Sequence, residues 1–177
     1  MVSLMIGEHI KERSDMPTLT EMSSSLGELL KSTGQTLAVS ESAGGGLISA
    51  TLVAVPGASA YYVGGVVVYT RIAQRGLLQV PDQAMEGIRA SSEPYAILNA
   101  RTVKESLGTT WALSETGASG PTGNRYGDSA GHSCIAVAGP VERAITVETG
   151  DSDREANMWK FAAAALKLLE ECVKEAS

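Results

Sequence analysis

Between Glu41 and Arg71 the chain carries no charged side chain. An uncharged run of this length can cross a membrane as a single helix. This run is interrupted by Pro56-Gly57 and by Gly64-Gly65, and such pairs end a helix instead of continuing it. Its serine, threonine and tyrosine hydroxyls would also need hydrogen-bond partners inside a bilayer. The run therefore predicts a helix, a turn and a buried strand, and it gives no reason to expect a membrane partner.

Strand-like and helix-like segments alternate along the rest of the chain. The β-branched and apolar runs predict strands over 36–40, 61–70, 109–114, 132–138 and 144–149. Helical periodicity predicts helices over 47–55, 71–78, 82–88 and 92–106, with one more near each end of the chain. Such alternation is typical of α/β proteins, and the hairpin formed by the last two strands makes the sheet mixed. We predict a three-layer α/β/α sandwich with a mixed sheet in a single domain.

Capping boxes mark the starts of the first and last helices. Thr18-x-x-Glu21 opens the first, which Gly34 ends, and Ser152-x-x-Glu155 opens the last. Residues 1–17 are polar and irregular, so we expect a flexible extension there and the domain itself over 18–177. An apolar stripe on the last helix is expected to face inward: Trp159, Ala162, Ala163, Leu166, Leu169 and Val173.

Composition narrows the possible partners. The 177 residues include 14 basic and 20 acidic side chains, a formal charge of −6. An acidic chain with no cluster of lysine and arginine does not favour nucleic acid or an anionic membrane. Two cysteines cannot form a disulfide framework, and Cys134 lies in an apolar run that predicts a buried structural thiol. With no secretory pattern at the start we expect a cytoplasmic protein, and with so few His and Cys residues no metal site.

A glycine-rich turn follows the first predicted strand. Glu41-Ser42-Ala43 leads into three consecutive glycines, 44–46, after which a helix opens. Backbone N–H groups converge at such a turn and suit a phosphate, a carboxylate or a developing oxyanion. The turn is neither a Walker A loop nor a dinucleotide fingerprint, because no Gly-Lys-[Ser/Thr] follows and the glycines are consecutive. Ser42 is expected at its tip, with a tight turn that glycines allow to pack closely as the structural alternative.

A second glycine-rich stretch runs from Gly117 to Gly131, after the third predicted strand. Loops this long inside a compact domain are usually functional or disordered. Ligands of open α/β sheets bind at the carboxyl ends of the strands, so we expect this loop and the Ser42 turn to face one crevice.

Within that stretch, Gly127-Asp128-Ser129-Ala130-Gly131 matches the G-x-S-x-G pattern of a nucleophile elbow. The elbow needs a strand before it and a helix after it, whereas here a loop precedes and a strand follows. Ser129 is therefore not expected to be a nucleophile. His132 begins the next strand, where a histidine is more often a structural hydrogen-bond donor than a base.

Three stretches together carry a family resemblance: Ser40-Glu41-Ser42 with its glycine turn, the segment from Pro56 to Tyr69, and Gly117-Ala118-Ser119-Gly120-Pro121. They resemble the C-terminal domain of the competence/damage-inducible protein CinA, a family whose stand-alone members include bacterial nicotinamide mononucleotide amidohydrolases. Gly150-Asp151 or Asp153-Arg154 resembles the family's Gly-Asp-Arg element. The resemblance runs from about Met22 to Val173, and it implies an α/β fold, a small nucleotide ligand and a homo-oligomer.

The resemblance implies hydrolysis of the carboxamide of nicotinamide mononucleotide to the nicotinate form and ammonia, without metal or organic cofactor. Ser42 would be the nucleophile and Tyr69 would support proton transfer. Contacts to the substrate and its oxyanion are expected from nine residues: Glu41, Gly44, Gly45, Gly46, Thr116, Gly117, Ser119, Gly120 and Arg154.

One catalytic position departs from the family's pattern. Active members carry a lysine five residues after the strand tyrosine, and the residue at that position here is Gln74. A glutamine amide cannot take a proton from a hydroxyl, whereas a desolvated lysine can, and the neighbouring Arg75 is a poor base. The family's run Glu-Ser-Cys-Thr-Gly-Gly also differs here, since Ala43 and Gly44 replace Cys and Thr. A basic residue usual near Met158 is missing as well.

These features leave two main hypotheses open. The protein is a serine amidohydrolase impaired by Gln74, or it is a catalytically silent relative that binds a nucleotide or a protein partner. A different hydrolysis, carried by Ser119 or His132, is the remaining alternative.

Overall fold

The computed structural model describes residues 18–177. Five strands form one sheet, and five helices cover its two faces. The strands are β1 (Leu37–Glu41), β2 (Tyr62–Val67), β3 (Trp111–Ala118), β4 (His132–Ala138) and β5 (Arg143–Glu148). The helices are α1 (Leu19–Thr33), α2 (Leu47–Ala54), α3 (Arg71–Ala73, continued by a π-helical turn over Gln74–Leu78), α4 (Glu93–Leu107) and α5 (Arg154–Glu175). The predicted mixed α/β sandwich is confirmed, while the extension predicted over residues 1–17 lies outside the described residues.

The strands lie in the order β2-β1-β3-β4-β5. β1 is parallel to both β2 and β3, and the last three strands are antiparallel. Because the chain leaves β1 toward β2 on one side and later returns to β3 on the other, the carboxyl ends of β1 and β3 flank a topological switch point. Ligands of open α/β sheets bind at such a point. Ser42 directly follows β1, and Thr116 and Gly117 lie where β3 extends beyond its pairing with β1.

The two faces of the sheet have different cores. Large side chains such as Leu37 and Leu113 face α1, α2 and α5. Small ones such as Ala38 and Ala112 face α4, which contributes Ala96 among others. Successive residues of a strand point to opposite faces, so the alternation of large and small residues decides which layer each contacts. Small residues on both sides let α4 approach the sheet closely.

Several predicted boundaries differ from the structure. The last helix is capped by Asp153, whose carboxylate accepts the amide of Ala156 at 3.0 Å, and not by Ser152. Ala163 is exposed, so the inward stripe includes Ala165 in its place. β3 continues four residues past the predicted end because β4 pairs with it as far as His132. The predicted helix over 82–88 is only a short 3₁₀ turn, Asp82–Met85.

The uncharged run forms α2, a turn and β2, as the sequence predicts. Among residues 18–177 there is no helix both long and apolar enough to cross a membrane. Gly65 is required in β2, because a Cβ there would lie 2.9 Å from the carbonyl of Val39 and 2.6 Å from the hydroxyl of Tyr62. Cys134 is buried and unpaired, as its apolar run predicts, and burial raises the pKa of its thiol.

Candidate functional site

The glycine turn after β1 is held by the carboxylate of Glu41. Glu41 is buried and lies on the face of β1 that points toward α2. Its Oε2 accepts the amides of Gly46 at 3.0 Å and Ile48 at 2.9 Å, and its Oε1 accepts both the amide and the hydroxyl of Ser49. A negative charge at the positive end of a helix is favourable. Glu41 therefore caps α2 from inside the protein.

A second buried carboxylate, that of Glu115, holds the other half of the turn. Its Oε2 accepts the amide of Gly44 at 2.7 Å and that of Ser42 at 3.2 Å, while its Oε1 accepts the Ser133 hydroxyl at 2.9 Å. Burial, assisted by the nearby charge of Glu41, outweighs these hydrogen bonds and raises the pKa of Glu115 to about 7. Glu115 is not among the site residues that the sequence predicts. A glutamate directly after an apolar strand core was the available signal.

These contacts bear on the expected role of the three glycines. The amides of Gly44 and Gly46 donate to Glu115 and Glu41, and the amide of Gly45 donates to the carbonyl of Ser42 at 3.1 Å. A substrate oxyanion at this turn would have to replace those internal acceptors. Gly117 lies on β3, outside this turn, and lines the cleft described next.

Ser42 lines an open cleft of about 820 Å³ at the carboxyl edge of the sheet. Tyr69, Thr116 and Gly117 line the same cleft, so the structure brings four of the predicted site residues together. The Ser42 hydroxyl makes no hydrogen bond to another residue within 18–177. Further walls come from residues that the sequence did not single out, among them Arg71, Arg89, Tyr95, Arg125 and Tyr126.

A smaller pocket of about 260 Å³ adjoins this cleft and shares Tyr69, Gly117 and Asn124 with it. Arg154 lines the smaller pocket, together with Ser119 and Gly120. The Arg154 guanidinium donates to the carbonyl of Gly120 at 2.6 Å and to the hydroxyl of Tyr69 at 2.7 Å. Arg154, predicted from the sequence, thus lies next to Tyr69 at the junction of the two spaces.

The cleft and pocket carry more positive charge than negative, although the whole chain carries −6. Arg71 lines the cleft and shares its partner Asp82 with Arg75, so these three side chains together keep one net positive charge. Within residues 18–177, no salt bridge joins Arg125 or Arg154 to a carboxylate, and each adds one more. Such a local excess attracts anionic ligands and holds phosphate groups.

Arg89 is part of a network that braces one wall of the cleft. It pairs with Asp128 through two hydrogen bonds of 2.7 and 2.9 Å, and Asp128 lies 3.7 Å from His132. Both nitrogens of His132 face acceptors, the carboxylate of Glu148 and the carbonyl of Ser91. Burial alone would lower the pKa of His132, but these hydrogen bonds raise it above its usual value. His132 is therefore a structural donor, as its place at a strand start predicts.

Gln74 is fully buried in the π-helical turn of α3 and is absent from the cleft wall. Its amide contacts Arg71, Asn99 and Met85, with Nε2 donating to Asn99 Oδ1 at 2.5 Å and lying 3.9 Å from Met85 Sδ. Within residues 18–177, no hydrogen bond joins Gln74 to Ser42. The residue expected to replace the family's lysine is therefore tied to its neighbours on α3 and α4.

Buried polar atoms without partners lie on the α4 side of the sheet. The hydroxyls of Ser40 and Ser114 are side by side in β1 and β3, and neither has a hydrogen-bond partner among residues 18–177. The Nδ2 of Asn99, which faces this layer from α4, is also unpartnered there. Buried polar groups usually find partners, so this layer keeps unused hydrogen-bonding capacity near Gln74.

The loop after β3 is anchored to the glycine turn and to α5. The buried Ser119 hydroxyl donates to the carbonyl of Ala43 at 2.9 Å. Asn157, also missed from the sequence, donates from Nδ2 to the carbonyls of Ser119 and Asp151, both at 2.8 Å. Gly117 allows this arrangement, because a Cβ there would lie 2.2 Å from the carbonyl of His132. Ser119 is thus engaged in structure, and Ser129 is exposed in the loop without a helix after it.

A family model for the CinA C-terminal domain matches residues 19–173. The chain belongs to the CinA family. It is 42% identical over 119 residues to a CinA-like protein from Nostoc, covering 67% of this chain and 28% of that protein. It is 39% identical over 142 residues to a CinA-like protein from Salinibacter ruber, covering 80% of this chain and 34% of that one. The chain therefore spans about a third of the length of these CinA-like relatives.

Solved structures of the CinA superfamily share the fold. A CinA superfamily protein from Escherichia coli superposes with a TM-score of 0.81 at 26% identity, covering 92% of this chain and 94% of that one. Competence damage-inducible protein A from Klebsiella pneumoniae gives a TM-score of 0.84 at 25% identity, covering 91% of this chain and all of that one. Both agree with the mixed five-stranded sheet described above.

Proposed function

We propose that the cleft of this CinA-family protein binds nicotinamide mononucleotide or a closely related carboxamide nucleotide, and that Ser42 hydrolyses the amide slowly. The observation that carries this proposal is the position of Ser42. It follows β1 at the switch point of the sheet, lines the cleft beside Tyr69, and has a hydroxyl unengaged by residues 18–177. A free hydroxyl at such a place can reach the carbonyl carbon of a bound amide.

The charge of the site supports a phosphorylated ligand. Arg154 lies in the smaller pocket, where its guanidinium is held by Gly120 and Tyr69 and has no carboxylate partner within 18–177. A guanidinium held in this way can donate to phosphate oxygens through its remaining N–H groups. A ligand with its amide at Ser42 would place its phosphate in the adjoining pocket.

The aromatic residues support a flat ring beside Ser42. Tyr69, Tyr95 and Tyr126 all line the cleft. A pyridinium ring is cationic and is attracted to the face of a tyrosine ring, by about 0.5–2 kcal/mol depending on its exposure. A cleft of this volume lies within the range of about 300–1,000 Å³ that is usual for small-molecule sites.

The reaction proceeds in two steps that conserve atoms and charge. The Ser42 oxygen bonds to the carboxamide carbon, the carbon–nitrogen bond breaks, and ammonia leaves with the hydroxyl proton. Water then attacks the resulting serine ester: one of its protons returns to the Ser42 oxygen, and the other leaves with ammonia as ammonium, so the products are the nicotinate carboxylate and the restored Ser42 hydroxyl. Both steps need a group that takes up a proton and returns it. The advantage of a covalent intermediate is that it splits one difficult step into two easier ones.

The environment of Gln74 explains why turnover is proposed to be slow. An amide cannot accept the serine proton, and Gln74 is buried away from the cleft. Loss of general base catalysis costs about 10²–10⁴-fold in rate. The same observation favours a second candidate function, a catalytically silent CinA module that binds the nucleotide without hydrolysing it.

Incubation of the purified protein with nicotinamide mononucleotide, with ammonia and the nicotinate product quantified, tests the proposal beside the Ser42→Ala variant. Ser133→Ala is not a suitable control because Ser133 contacts Glu115, whereas Ser32→Ala alters an exposed serine on α1. Hydrolysis that persists in Ser32→Ala and disappears in Ser42→Ala supports the amidohydrolase.

Titration calorimetry with the same nucleotide separates the two candidates. Binding without product supports the silent module. Failure to bind the nucleotide overturns both, and product formation that survives Ser42→Ala removes Ser42 as the nucleophile.

A further inference from the structure

We propose that Glu115 is a positioning residue for Ser42, whose carboxylate fixes the amides of Ser42 and Gly44 and so fixes where the Ser42 hydroxyl lies in the cleft. The inference deepens the proposed function, since it gives the serine of that site a second determinant of reactivity. It concerns a buried acid on β3 that the reaction steps above do not use.

Glu115 lies just beyond the point where the pairing of β1 with β3 ends. β1 pairs with β3 from Leu37 opposite Trp111 to Ser40 opposite Ser114, and the pairing ends there. Glu115 is the next residue of β3, so its side chain lies beside the point where the chain leaves β1. It therefore reaches the turn that carries Ser42.

Both oxygens of the Glu115 carboxylate accept hydrogen bonds. One oxygen accepts the amides of Ser42 and Gly44, and the other accepts the Ser133 hydroxyl from β4. Hydrogen bonds to an ionised acceptor are about twice as strong as neutral ones. The two amides lie on either side of the pair Ser42-Ala43, so this one oxygen holds the backbone just before Ser42 and just after Ala43.

Burying the charge of Glu115 is energetically costly. Glu115 is 1% exposed, and within residues 18–177 no cation forms a salt bridge with it. A buried carboxylate supported only by neutral donors is unfavourable, and a core strand gains nothing in stability from it. The ionised carboxylate therefore costs stability, and on the cleft side it contacts the turn that carries the candidate nucleophile.

Gly44 completes the arrangement. A Cβ at residue 44 would lie 3.3 Å from a carboxylate oxygen of Glu115 and 3.3 Å from one of Glu41. A larger side chain would push at least one carboxylate away from the amides that it accepts. The absence of a side chain at residue 44 and the carboxylate at residue 115 are therefore complementary.

The ionisation state of Glu115 should change how firmly the turn is held, so the inference predicts a measurable pH dependence. Burial raises the pKa of this carboxyl to about 7, with the charge of Glu41 on β1 acting in the same direction. The side chains that approach the turn from β4 and α5, Ser133 and Met158, do not titrate. The ionised form holds the two amides more strongly, so Ser42 becomes better positioned as the pH rises through neutrality.

The test measures covalent labelling of Ser42 by a fluorophosphonate probe in the full chain, between about pH 5.5 and 9, with the labelled residue identified by mass spectrometry. Glu115→Gln keeps an acceptor oxygen and removes the charge, and it is expected to label at a rate that is flat across neutrality. Glu115→Ala removes both acceptors, and it is expected to label on the order of 100-fold more slowly at every pH. Glu142→Gln, on an exposed acid paired with Arg101, is the matched control.

Ser133→Ala supplies a variant that leaves Glu115 in place. The Ser133 hydroxyl lowers the pKa of the carboxyl, so its removal should move the midpoint of the labelling profile to higher pH. A purely structural role for Glu115 would change folding stability without moving that midpoint. The same profiles, measured as kcat and KM with nicotinamide mononucleotide, should show the effect in kcat.

The outcomes separate this inference from the proposed function. Labelling with the expected profiles, in a protein that neither binds nor hydrolyses the nucleotide, supports the role of Glu115 and removes the proposed substrate. A wild-type profile that Glu115→Gln leaves unchanged overturns the inference while the proposed function stands. Absence of Ser42 labelling at every pH also overturns it, because a hydroxyl positioned in the cleft is expected to react with this electrophilic probe at the rate that remains without a general base.

Discussion

Arg154 donates to the phenolic oxygen of Tyr69 across 2.7 Å and so joins the start of α5 to the connection between β2 and α3. The same guanidinium donates to the carbonyl of Gly120 at 2.6 Å and lies 6.0 Å from the centre of the Tyr69 ring. One side chain therefore links three segments that are distant in sequence, at the junction of the cleft and the smaller pocket.

Replacing Arg154 with methionine is expected to weaken nicotinamide mononucleotide binding by about 10–100-fold, since hydrogen bonds to charged groups contribute about 1.5–3 kcal/mol. Titration calorimetry measures the change. The control is Arg143→Met, which removes an arginine paired with Glu175 away from the cleft. An unchanged dissociation constant for Arg154→Met would show that the phosphate does not bind in the smaller pocket.

Gln74→Lys is expected to raise the rate of amide hydrolysis, because a lysine side chain is longer than glutamine and can extend past Arg71, which contacts residue 74 and lines the cleft. A lysine at this buried position, beside Arg71, would have its pKa lowered both by burial and by the like charge, and a neutral amine can accept a proton. The unpartnered hydroxyls of Ser40 and Ser114 face the same layer and could accept hydrogen bonds from it. The rate of ammonia release is the measurement.

Gln74→Met is the matched control for that substitution, because it fills similar space without a proton acceptor. If both variants hydrolyse the amide at the wild-type rate, residue 74 does not communicate with Ser42. The loss of the family's lysine would then not be the reason for slow turnover.

The fold could be predicted from the sequence because its determinants are local. Capping boxes, glycine stops and strand-like runs each act within a few residues, and the first capping box is present as predicted, with Thr18 accepting the amide of Glu21. The error at the last helix is of the same local kind. Asp153 and Ser152 are adjacent, and an aspartate is as good a cap as a serine.

Part of the candidate site could be predicted for a different reason. Parallel strands place their carboxyl ends at one edge, which brings Ser42, Tyr69 and Thr116 to one cleft. The contacts of Glu115 and Gln74 depend on strand register and on the packing of α3 against α4. Gln74 meets Asn99 from a separate helix, and no spacing rule joins the two residues. Arg89 and Arg125 reach the cleft from irregular segments, whose paths periodicity does not describe.

The free energy of unfolding should change with pH as Glu115, the buried acid on β3, ionises. The pKa of Glu115 is raised to about 7 in the folded protein, above its ordinary value of 4.5. The folded state therefore binds a proton more tightly than the unfolded state does. Its stabilising contribution is complete below about pH 4.5 and is lost as the pH rises through 7.

Relative to Glu115→Gln, the free energy of unfolding of the wild type should fall by about 3 kcal/mol between acid and alkaline pH, from the size of that pKa difference. Urea denaturation at a series of pH values measures it. The exposed control Glu142→Gln should show no such divergence near neutrality, because the pKa of Glu142 lies below its usual value beside Arg101. Parallel curves for wild type and Glu115→Gln would contradict the prediction.

Asn157→Asp should destabilise the protein, although it only replaces the side-chain NH2 group with an oxygen. Asn157 is fully buried, with Nδ2 donating to the carbonyls of Ser119 and Asp151 and Oδ1 accepting from the Thr149 hydroxyl. An aspartate would direct a carboxylate oxygen at two carbonyl oxygens, with no donor between them. We expect a loss of about 3 kcal/mol or more in the free energy of unfolding at neutral pH.

This loss should shrink in acid, because a protonated aspartate can again donate one hydrogen bond to a carbonyl. Burial and the facing carbonyl oxygens both raise the pKa of the introduced acid. Its protonated form, which is the less destabilising one, therefore predominates at low pH, and the loss in the free energy of unfolding is smallest there. Gln83→Glu makes the same amide-to-acid change at an exposed position and should be nearly neutral. Because Asn157 anchors the Ser119 carbonyl beside the smaller pocket, a variant with wild-type stability and wild-type nucleotide affinity would show that this anchor does not organise the site.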